Sequence, residues 1–309
     1  MDSNKKVKVD ILILNYNGKD LLMSFLSSVC KAAKKSFHKC KVYVVDNVST
    51  DGSVEYVKNN FPTVKLYLSK KNEVLCSYNE VLKVIDSDVV ILLNNDIKVE
   101  EDFADYLIEH FKDENVFFVA PRLLNFDGTY NGGRSYLKIK YGMLKNIVDE
   151  TNATVPGETH SIATGAFRRD LFLRLGGFDS LYLPGICEEV DLCYRALVSG
   201  KKGVYEPKSI IWHKESTTFN REYGKRRKMV IAHRNVFLFF WKNIHDKRLI
   251  AEHLFLLPFR VAHSIVFGNV ELAQGFWLAL LRLPAALSRR YQCIPQLRLR
   301  VLKDSDIIR

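Results

Sequence analysis

Short apolar runs rich in β-branched residues alternate with amphipathic stretches through the first third of the chain. A run of four to eight such residues is typical of a strand, and apolar residues three or four positions apart indicate a helix. The runs that predict strands are residues 9–14, 41–45, 64–68, 89–93 and 116–120. The stretches that predict helices are residues 20–34, 53–60, 73–86 and 101–112. This alternation predicts an α/β fold with a mixed, mainly parallel sheet flanked by helices on both faces.

Polar residues follow three of these strands at the point where each ends. Asn15 and Asn17 follow the first strand, Asp46 follows the second, and Asn94 follows the fourth. Open α/β sheets bind ligands beyond the carboxyl ends of their strands, so these residues mark a candidate binding edge. The chain has neither GxGxxG nor GxxxxGK(S/T), which argues against a dinucleotide-binding loop or a P-loop. Acidic residues at this edge indicate that a diphosphate would be held through a divalent cation.

A glycine turn, GGFD at residues 176–179, precedes an acidic helical segment that begins at Glu188. Glu188, Glu189 and Asp191 fall in its first turn, where the helix dipole favours carboxylates and where a general base would also fit. Asp191 and Arg195 are four positions apart, so we expect a salt bridge between them within the helix. Glu189 points away from that pair, which leaves its carboxylate free for another task. After this helix, residues 203–205 and 210–213 predict two further strands.

The pattern changes after residue 219. A basic cluster, Arg221 with Lys225, Arg226, Arg227 and Lys228, is followed by apolar stretches at residues 236–241, 254–259 and 276–283. None of these stretches reaches the roughly 18–20 uninterrupted apolar residues of a membrane-spanning helix. Amphipathic helices at a membrane interface are one interpretation, and a buried helical cap on the catalytic domain is the other. We therefore expect a catalytic domain over residues 1–220 and a helical region over 221–309.

Charge supports a separate role for this C-terminal region. Residues 1–220 hold 29 Lys and Arg against 29 Asp and Glu, whereas residues 221–309 hold 17 against 6, so the net charge of +11 arises there. Such asymmetry is typical of a protein that meets an anionic partner, either a nucleic acid or a membrane surface. The six cysteines form no CxxC pair and have no zinc-site spacing. With a polar N-terminus that lacks a signal peptide, they indicate reduced thiols and a cytoplasmic location.

Eight collinear segments resemble one enzyme family. In chain order they are ILILNYNG, VVDNVSTDGS, LLNNDI, APRLLNFDG, TGAFRRDLFLRLGGFD, EEVDLCYRA, IWH and HRN. Between residues 8 and 243 the chain resembles the inverting nucleotide-sugar glycosyltransferases of family 2, which have the Rossmann-like GT-A fold. It is most similar to their rhamnosyltransferase-like branch. The resemblance implies transfer of a sugar from a nucleotide diphosphate, with a divalent metal ion as cofactor.

The resemblance also implies roles for individual residues in donor binding. Asn15 and Asn17 would lie in the loop that lines the nucleotide, and Asp46 would accept a hydrogen bond from the pyrimidine base. Asp46 also has a structural interpretation, because Asp commonly forms Asx-turns after a strand.

Three further residues correspond to the family's DxD motif, in the order Asn94, Asn95 and Asp96. The two asparagines would contact the nucleotide, and Asp96 would bind Mg²⁺ or Mn²⁺. His213 falls where some members supply a further metal ligand. Turn chemistry for Asp96 and a core position beside Trp212 for His213 are the structural alternatives.

Glu189 occupies the position of the family's catalytic aspartate, so the resemblance implies that it is the general base, with Asp191 in reserve. An inverting transfer needs a carboxylate that removes the acceptor hydroxyl proton while the sugar carbon is attacked from the opposite face. Two departures from the family pattern leave a second interpretation, in which the donor pocket is altered. Glutamate replaces aspartate at position 189, and the family's glycine-rich stretch appears at residues 72–80 as NEVLCSYNE, without glycine.

These observations predict a glycosyltransferase, with dTDP-rhamnose as one candidate donor and a lipid-linked glycan as acceptor, in surface polysaccharide biosynthesis. We expect it to act in the cytoplasm, peripherally on the inner face of the cell membrane. A catalytically weak sugar-nucleotide-binding scaffold of a glycan-assembly complex is the alternative. A nucleic-acid partner is not expected, because the basic region contains no recognisable DNA- or RNA-binding module.

Overall fold

The computed structural model describes residues 6–214, 217–291 and 300–308. Its strands are β1 (Lys8–Asn15), β2 (Lys39–Asp46), β3 (Lys65–Leu68), β4 (Val89–Asn94), β5 (Ile97–Val99), β6 (Val116–Leu124), β7 (Tyr130–Gly132), β8 (Ser135–Lys140), β9 (Met143–Val148), β10 (Gly157–Glu158), β11 (Gly165–Arg168) and β12 (Lys202–His213). Its α-helices are α1 (Lys19–Lys35), α2 (Ser53–Asn60), α3 (Tyr78–Val84), α4 (Phe103–Glu109), α5 (Arg169–Arg174), α6 (Glu188–Val198), α7 (Thr217–Asn243), α8 (Lys247–Val266), α9 (Val270–Leu281), α10 (Leu283–Tyr291) and α11 (Asp304–Ile307).

The central sheet has the strand order β10-β12-β6-β11-β4-β1-β2-β3, with β5 paired to β12 and β7 paired to β6. The strands β4, β1, β2 and β3 are parallel neighbours, and β12 also runs parallel to β6. Between these two parallel groups lies β11, which is antiparallel to both β4 and β6. The sheet is therefore mixed and mainly parallel, as the sequence predicts. The hairpin of β8 and β9 stands apart as a separate two-stranded sheet.

Both faces of the central sheet are covered, because successive side chains of a strand point to opposite faces. On β1, Ile11 and Ile13 enter a core beneath α1 and α4, whereas Leu12 enters the core on the other face, beneath α3 and α5. The strand is apolar on both sides, which is typical of a parallel strand buried between helices. This burial fixes where β1, β2 and β4 end, and so where their following loops meet.

Two predicted boundaries differ from the structure. The stretch 73–86 is not one helix, because a 3₁₀ turn over Val74–Ser77 precedes α3. Residues 203–205 and 210–213 are not two strands but parts of β12, whose pairing with β6 shifts register between Glu206 and Ile210. The intervening Pro207 has no amide hydrogen to donate to a neighbouring strand. The sequence pattern therefore predicts a break between two strands at this residue.

Part of the C-terminal region matches the buried-cap interpretation, and the membrane-interface interpretation stays a prediction. Phe237, Leu238, Phe239 and Phe240 of α7 are all buried, and they pack with Tyr182 and other apolar residues from before residue 220. Four consecutive buried residues place this part of α7 inside the protein on every side, so it is a structural cap. The side chain of Arg221 and the whole of Cys293 lie outside the described residues, and the other five cysteines are free thiols.

Within the described residues, one helix is long and apolar enough to cross a membrane, α8 over Lys247–Val266. The helices α9 and α10, which meet at a bend of 58°, would qualify only if taken together as one broken span. The sequence expectation that no segment reaches spanning length therefore needs correction for α8. An uninterrupted apolar run is too strict a criterion, because this helix tolerates Glu252 and Arg260 among its apolar residues.

Candidate active site

A cavity of about 440 Å³ opens at the carboxyl ends of β1 and β4. Its lining brings together residues 94–96, which correspond to the DxD motif, the start of the acidic helix α6 and the first turns of α7. The lining residues that carry the argument are Asn47, Asn94, Asn95, Asp96, Glu188, Glu189, His213, Glu222, Tyr223 and Lys228. Segments more than 100 residues apart in sequence thus converge on one cavity. This is the binding edge that the strand-end polar residues predict.

Asn15 joins the ends of three strands and does not itself line the cavity. Its amide nitrogen donates to Asp46 Oδ1 at 2.9 Å and to Ser53 Oγ at 3.0 Å. Its amide oxygen accepts a hydrogen bond of 2.8 Å from Asn95. Gly18 faces this junction so closely that an added Cβ would lie 2.0 Å from the Asn95 amide. The structure therefore gives Asn15 a positioning role, because it sets Asn95 and Asp46 relative to each other.

Asp46 and Asn17 also lie beside the cavity rather than in its wall. Asp46 is buried, and its second oxygen accepts the amide hydrogen of Ser49, three residues on, at 2.9 Å. This is a local structural role, although the Asx-turn that the sequence allowed would bond two residues on. Asn17 lines a neighbouring pocket of about 310 Å³, and its side-chain oxygen accepts from the Thr50 amide at 2.8 Å. Direct contact of these two residues with a nucleotide remains a prediction.

The residue after Asp46 is a wall residue that the sequence did not single out. The Asn47 amide nitrogen donates to Asn72 Oδ1 at 3.1 Å and to the Val74 carbonyl at 3.2 Å. Its side-chain oxygen is buried without a hydrogen-bond partner. A buried amide oxygen without a partner favours a ligand donor group. The sequence feature that could have identified Asn47 is its position directly after the end of β2. The resemblance instead assigned the binding role to the neighbouring Asp46.

Asp96 and His213 meet where β5 pairs with the end of β12. The register places His213 opposite Ile97, so the imidazole comes next to the preceding Asp96. Asp96 Oδ2 lies 3.4 Å from His213 Nε2. Asp96 Oδ1 and His213 Nδ1 are buried and have no hydrogen-bond partner in the protein. Carboxylate oxygen and imidazole nitrogen are both ligands of Mn²⁺, and a carboxylate with substrate phosphates is typical of Mg²⁺.

These two residues fit a divalent cation only with ligands from a bound molecule. No group of three or more His, Cys, Asp and Glu side chains is placed to hold a metal ion in the part of the chain that the structure describes. A cation at Asp96 and His213 would therefore need further oxygens, such as those of a diphosphate. Asn94 and Asn95 line the same wall of the cavity.

The cavity lining also includes two adjacent carboxylates at the start of α6. Glu188 is fully buried, and neither of its oxygens has a hydrogen-bond partner. Burial and the neighbouring Glu189 raise the pKa of Glu188 to about 8. Burial also raises the pKa of Glu189 to about 7, although its side chain is partly exposed to the cavity. A carboxylate with a pKa near neutrality is suited to accept a proton in catalysis.

Asp191 does not line the cavity, which corrects its expected role as a reserve base. Its oxygens bond to Lys242 and Arg195, at 2.7 Å and 2.8 Å, and to Tyr182 Oη at 2.8 Å. Burial alone would favour the neutral acid, but Lys242 and Arg195 hold the pKa of Asp191 well below its usual range. The predicted Asp191–Arg195 salt bridge is confirmed. The Asp191 carboxylate is fully engaged in these structural contacts. Of the two candidate bases, Glu189 lines the cavity and Asp191 does not.

The HRN segment of α7 holds the loop that precedes the acidic helix. Asn235 donates to the carbonyls of Tyr182, Gly185 and Ile186 at 2.7–2.8 Å. Arg234 donates to the Tyr182 carbonyl at 3.0 Å. The sequence gave this segment no role, and the structure shows that it fixes the approach to Glu188.

The family model described as glycosyl transferase family 2 matches residues 10–175, which is more than half of the chain. The chain belongs to glycosyl transferase family 2. The matched region includes the Asn15, Asp46 and Asp96 segments and ends just before the GGFD turn. The acidic helix and His213, which lie beyond it, join the same cavity through the fold.

Curated relatives resemble the chain over part of their length. The pre-mycofactocin glycosyltransferase of Mycobacterium tuberculosis is 28% identical over 145 residues, which are 45% of this chain and 29% of that protein. The poly-beta-1,6-N-acetyl-D-glucosamine synthase of Staphylococcus aureus is 22% identical over 273 residues, 85% of this chain and 63% of that protein. The chain thus spans less than two thirds of either relative.

Two solved structures show the same GT-A fold. GalNAc-T7 with UDP, GalNAc and Mn²⁺ has a TM-score of 0.58 at 19% identity, and covers 77% of this chain and 48% of that one. The mannosyltransferase PcManGT from Pyrobaculum calidifontis with GDP-Man and Mn²⁺ has a TM-score of 0.56 at 16% identity, covering 96% and 88%. The expected fold class, a Rossmann-like GT-A sheet with flanking helices and a C-terminal helical region, is confirmed.

Proposed function

We propose that this protein is a metal-dependent, inverting glycosyltransferase that uses a nucleotide-diphosphate sugar. The observation that carries the proposal is that two kinds of group line one cavity. They are Asp96 and His213, each with an unpartnered buried atom, and the carboxylate pair Glu188 and Glu189. Family membership supports sugar transfer, and the relatives and solved structures named above are all glycosyltransferases or a polysaccharide synthase by name.

Asp96 and His213 are the residues that would hold Mg²⁺ or Mn²⁺, together with oxygens of the donor diphosphate. The bound metal would supply positive charge that offsets the negative charge growing on the departing diphosphate. Asn15 supports this wall by holding Asn95 in place. Asp46 and Asn47 lie at the end of β2, at the carboxyl edge of the sheet, where open α/β folds bind ligands, and this position supports a role for them in binding the nucleotide.

Glu189 would accept the proton of the acceptor hydroxyl as its oxygen forms a bond to the anomeric carbon. The bond from that carbon to the diphosphate oxygen breaks in the same displacement, so the configuration inverts. Glu188 stays protonated at neutral pH, because two adjacent buried carboxylates do not readily ionise together. Before the reaction the pair thus holds one proton, on Glu188, and the ionised, more exposed Glu189 is the carboxylate that would receive the proton of the acceptor hydroxyl.

The donor and the acceptor follow from the resemblance and from the relatives. The rhamnosyltransferase-like pattern makes dTDP-rhamnose one candidate donor, and the neighbours bound to UDP or GDP-Man make those nucleotides the others to test. A lipid-linked glycan of a surface polysaccharide is the proposed acceptor, consistent with a relative that is a polysaccharide synthase. We propose that the protein works in the cytoplasm, peripherally on the inner face of the cell membrane.

A scaffold that binds a sugar nucleotide without turning it over is a second candidate. The observation in its favour is Val74, which lies in the cavity wall with a positive φ of 50°. A β-branched residue rarely adopts this conformation, and Val74 lies within the stretch in which the family's glycines are missing. A donor pocket altered at this position would fit binding with reduced catalysis.

Nucleotide release from dTDP-, UDP- and GDP-sugars, with Mn²⁺ or Mg²⁺ and with chelator, tests the proposal. We expect one donor to be hydrolysed, and the signal to disappear with chelator. Glu189→Gln should lower turnover by ~10²–10⁴-fold without weakening nucleotide binding. Glu114→Gln, an exposed glutamate far from the cavity, is the matched control and should match the parent protein.

Three other outcomes are equally informative. Full activity of Glu189→Gln would remove the base assignment. Metal-dependent donor binding without turnover by the parent protein, even with acceptor glycans supplied, would establish the scaffold. If no sugar nucleotide binds with metal present, both candidates fail.

A further inference from the structure

The solvent-facing side of α8 is mostly apolar from residue 251 to residue 266, where Glu252 and His263 are its exposed polar residues. The exposed residues Leu254, Phe255, Phe259, Ile265 and Val266 have relative exposures of 58%, 69%, 62%, 62% and 74%. Ala251, Pro258 and Ala262 fill the positions between them on the same exposed side. These positions recur at three and four residues, so they form one stripe about 22 Å long at 1.5 Å per residue. An ordinary surface helix carries polar residues on this side.

The apolar surface continues into the next helix. Phe267 and Val270, at the turn between α8 and α9, are 73% and 42% exposed, and Trp277 and Leu281 on α9 are 59% and 79% exposed. Soluble monomers rarely expose an apolar area of this extent unless it meets a partner. We call the stripe of α8, the turn and these residues of α9 the apolar face.

The other side of α8 is fastened to the protein by polar contacts. Trp241 Nε1 donates to His253 Nε2 at 3.0 Å, and the opposite nitrogen of His253 bonds to the Gly142 carbonyl at 2.6 Å. Glu252 accepts from the Gly142 amide at 3.0 Å, and Arg260 donates to the Tyr141 carbonyl. A helix crossing a bilayer would have to release these contacts or draw the β8–β9 hairpin into lipid.

Positive charge borders the apolar face. Arg226 pairs with Glu271 at 3.4 Å, which places the basic residues 225–228 of α7 beside the turn between α8 and α9. Lys225 and Arg227 are exposed there, and Lys228 lines the candidate active site. The same segment of α7 thus connects the apolar turn to the mouth of the cavity. Basic and apolar groups side by side are what an anionic lipid surface attracts.

We infer that the apolar face is a docking surface for an anionic lipid bilayer, in which α8 lies flat in the plane of the interface and does not cross it. The residues of the stripe enter the boundary between head groups and acyl chains, and residues 225–227 meet the phosphates. The inference rests on the proposed function in one respect, the lipid-linked acceptor. Docking in this orientation brings the cavity mouth to the membrane, where such an acceptor would present its sugar.

Sedimentation of the full chain with vesicles tests the inference. We expect binding to vesicles of phosphatidylethanolamine and phosphatidylglycerol, and little binding to phosphatidylcholine alone. Phe255→Ser with Phe259→Ser should weaken binding by about tenfold or more, because both side chains would leave the acyl boundary. Met23→Ser with Val84→Ser, which alters exposed apolar residues elsewhere, is the matched control and should bind normally.

Two further measurements fix the geometry and the charge. Alkaline carbonate should strip the bound protein from the vesicles, as it does a peripheral protein. Lys225→Glu with Arg227→Glu should weaken binding at low salt and lose this effect as salt is raised. Donor hydrolysis without vesicles should be unchanged in the Phe255 and Phe259 double variant, so a failure of docking is separable from a failure of catalysis.

Four results would overturn the inference. The first is absence of binding to anionic vesicles, and the second is binding by the Phe255 and Phe259 double variant that equals that of the parent protein. The third is resistance of the bound protein to carbonate, which would mean that α8 spans the bilayer. The fourth is a dimer in solution that this double variant converts to monomer without any vesicle binding, which would make a second copy the occupant of the face.

Discussion

Several residues around the candidate active site adopt left-handed backbone conformations without being glycine. Val74, Ile186 and Cys187, which line the cavity, have φ angles of 50°, 71° and 90°. Val48, next to the wall residue Asn47, has a φ of 64°. Such conformations are strained for β-branched residues and collect at functional sites. The strain here lies in the 72–80 stretch, beside the end of β2 and directly before the acidic helix.

Val48 offers a direct test of this strain. Val48→Asn should stabilise the protein by about 1 kcal/mol, because asparagine tolerates the left-handed region and the valine side chain is not packed. Val155→Asn is the control, since Val155 has the same 48% exposure and an ordinary backbone. Thermal unfolding should show a higher Tm for the first variant only. Equal shifts in both would mean that surface polarity, and not backbone strain, is responsible.

Glu188 predicts an unusual dependence of stability on pH. Its pKa rises from 4.5 to about 8 on folding, so the folded protein holds an extra proton between these values. Stability in the metal-free protein should therefore fall as pH rises through this window, since ionisation leaves a buried charge without a partner. Glutamine does not titrate, so Glu188→Gln should gain stability relative to the parent, by up to ~5 kcal/mol at high pH.

Unfolding of both proteins at about pH 5 and about pH 9, with chelator, measures this difference. We expect near-equal Tm values at the lower pH and a higher Tm for Glu188→Gln at the higher one. A constant difference across the range would mean that Glu188 is ionised in the folded protein at all of these pH values.

At the scale of elements, the sequence predicts the first half of the sheet well and the second half poorly. The strands β1, β2 and β4 are continuous apolar runs, because both of their faces are buried. By contrast, β11 is four residues long, and nothing local indicates that it inserts antiparallel between β4 and β6. Its partners are more than 40 residues away in sequence, so its placement depends on tertiary pairing.

The candidate site was predictable to a similar extent. The strand-end residues and the acidic helix could be located because their chemistry is local. That Asp191 is unavailable could not be predicted, since two of its partners, Lys242 and Asn243, come from α7 about 50 residues later. The contact of Asp96 with His213 likewise depends on how β5 pairs with β12.

The junction of α6 and α7 carries a prediction at this scale. Asp191→Asn should destabilise the protein by ~3–5 kcal/mol, because it leaves the buried Lys242 and Arg195 without their shared carboxylate. Urea unfolding measures the loss, and Glu189→Gln on the same helix is the control that should lose no stability. If Asp191→Asn kept full stability and lost only turnover, the residue would be catalytic after all.

On the scale of the whole molecule, the C-terminal region is part of the fold and also its most exposed apolar surface. Through α7, Phe237 and Phe240 complete a core with Tyr182, Tyr194 and residues of β9. Asp304, near the end of the described chain, accepts the amide hydrogens of His245 and Asp246, which ties that end back to the start of α8. The charge balance of the chain therefore changes at the predicted boundary at residue 220, whereas the packing continues across it.

This packing predicts the behaviour of a chain cut after residue 220. The fragment 1–220 should be insoluble or unfolded, because it lacks Lys242 and Asn243 for Asp191 and exposes the core that Phe237–Phe240 cover. A buried carboxylate stripped of its partners and a large bared apolar area are each strongly destabilising. Circular dichroism and size exclusion, with the full chain alongside, measure the outcome. A folded, monomeric fragment that still binds a sugar nucleotide with Mn²⁺ would instead establish residues 1–220 as an independent domain, with α7 as an accessory to it.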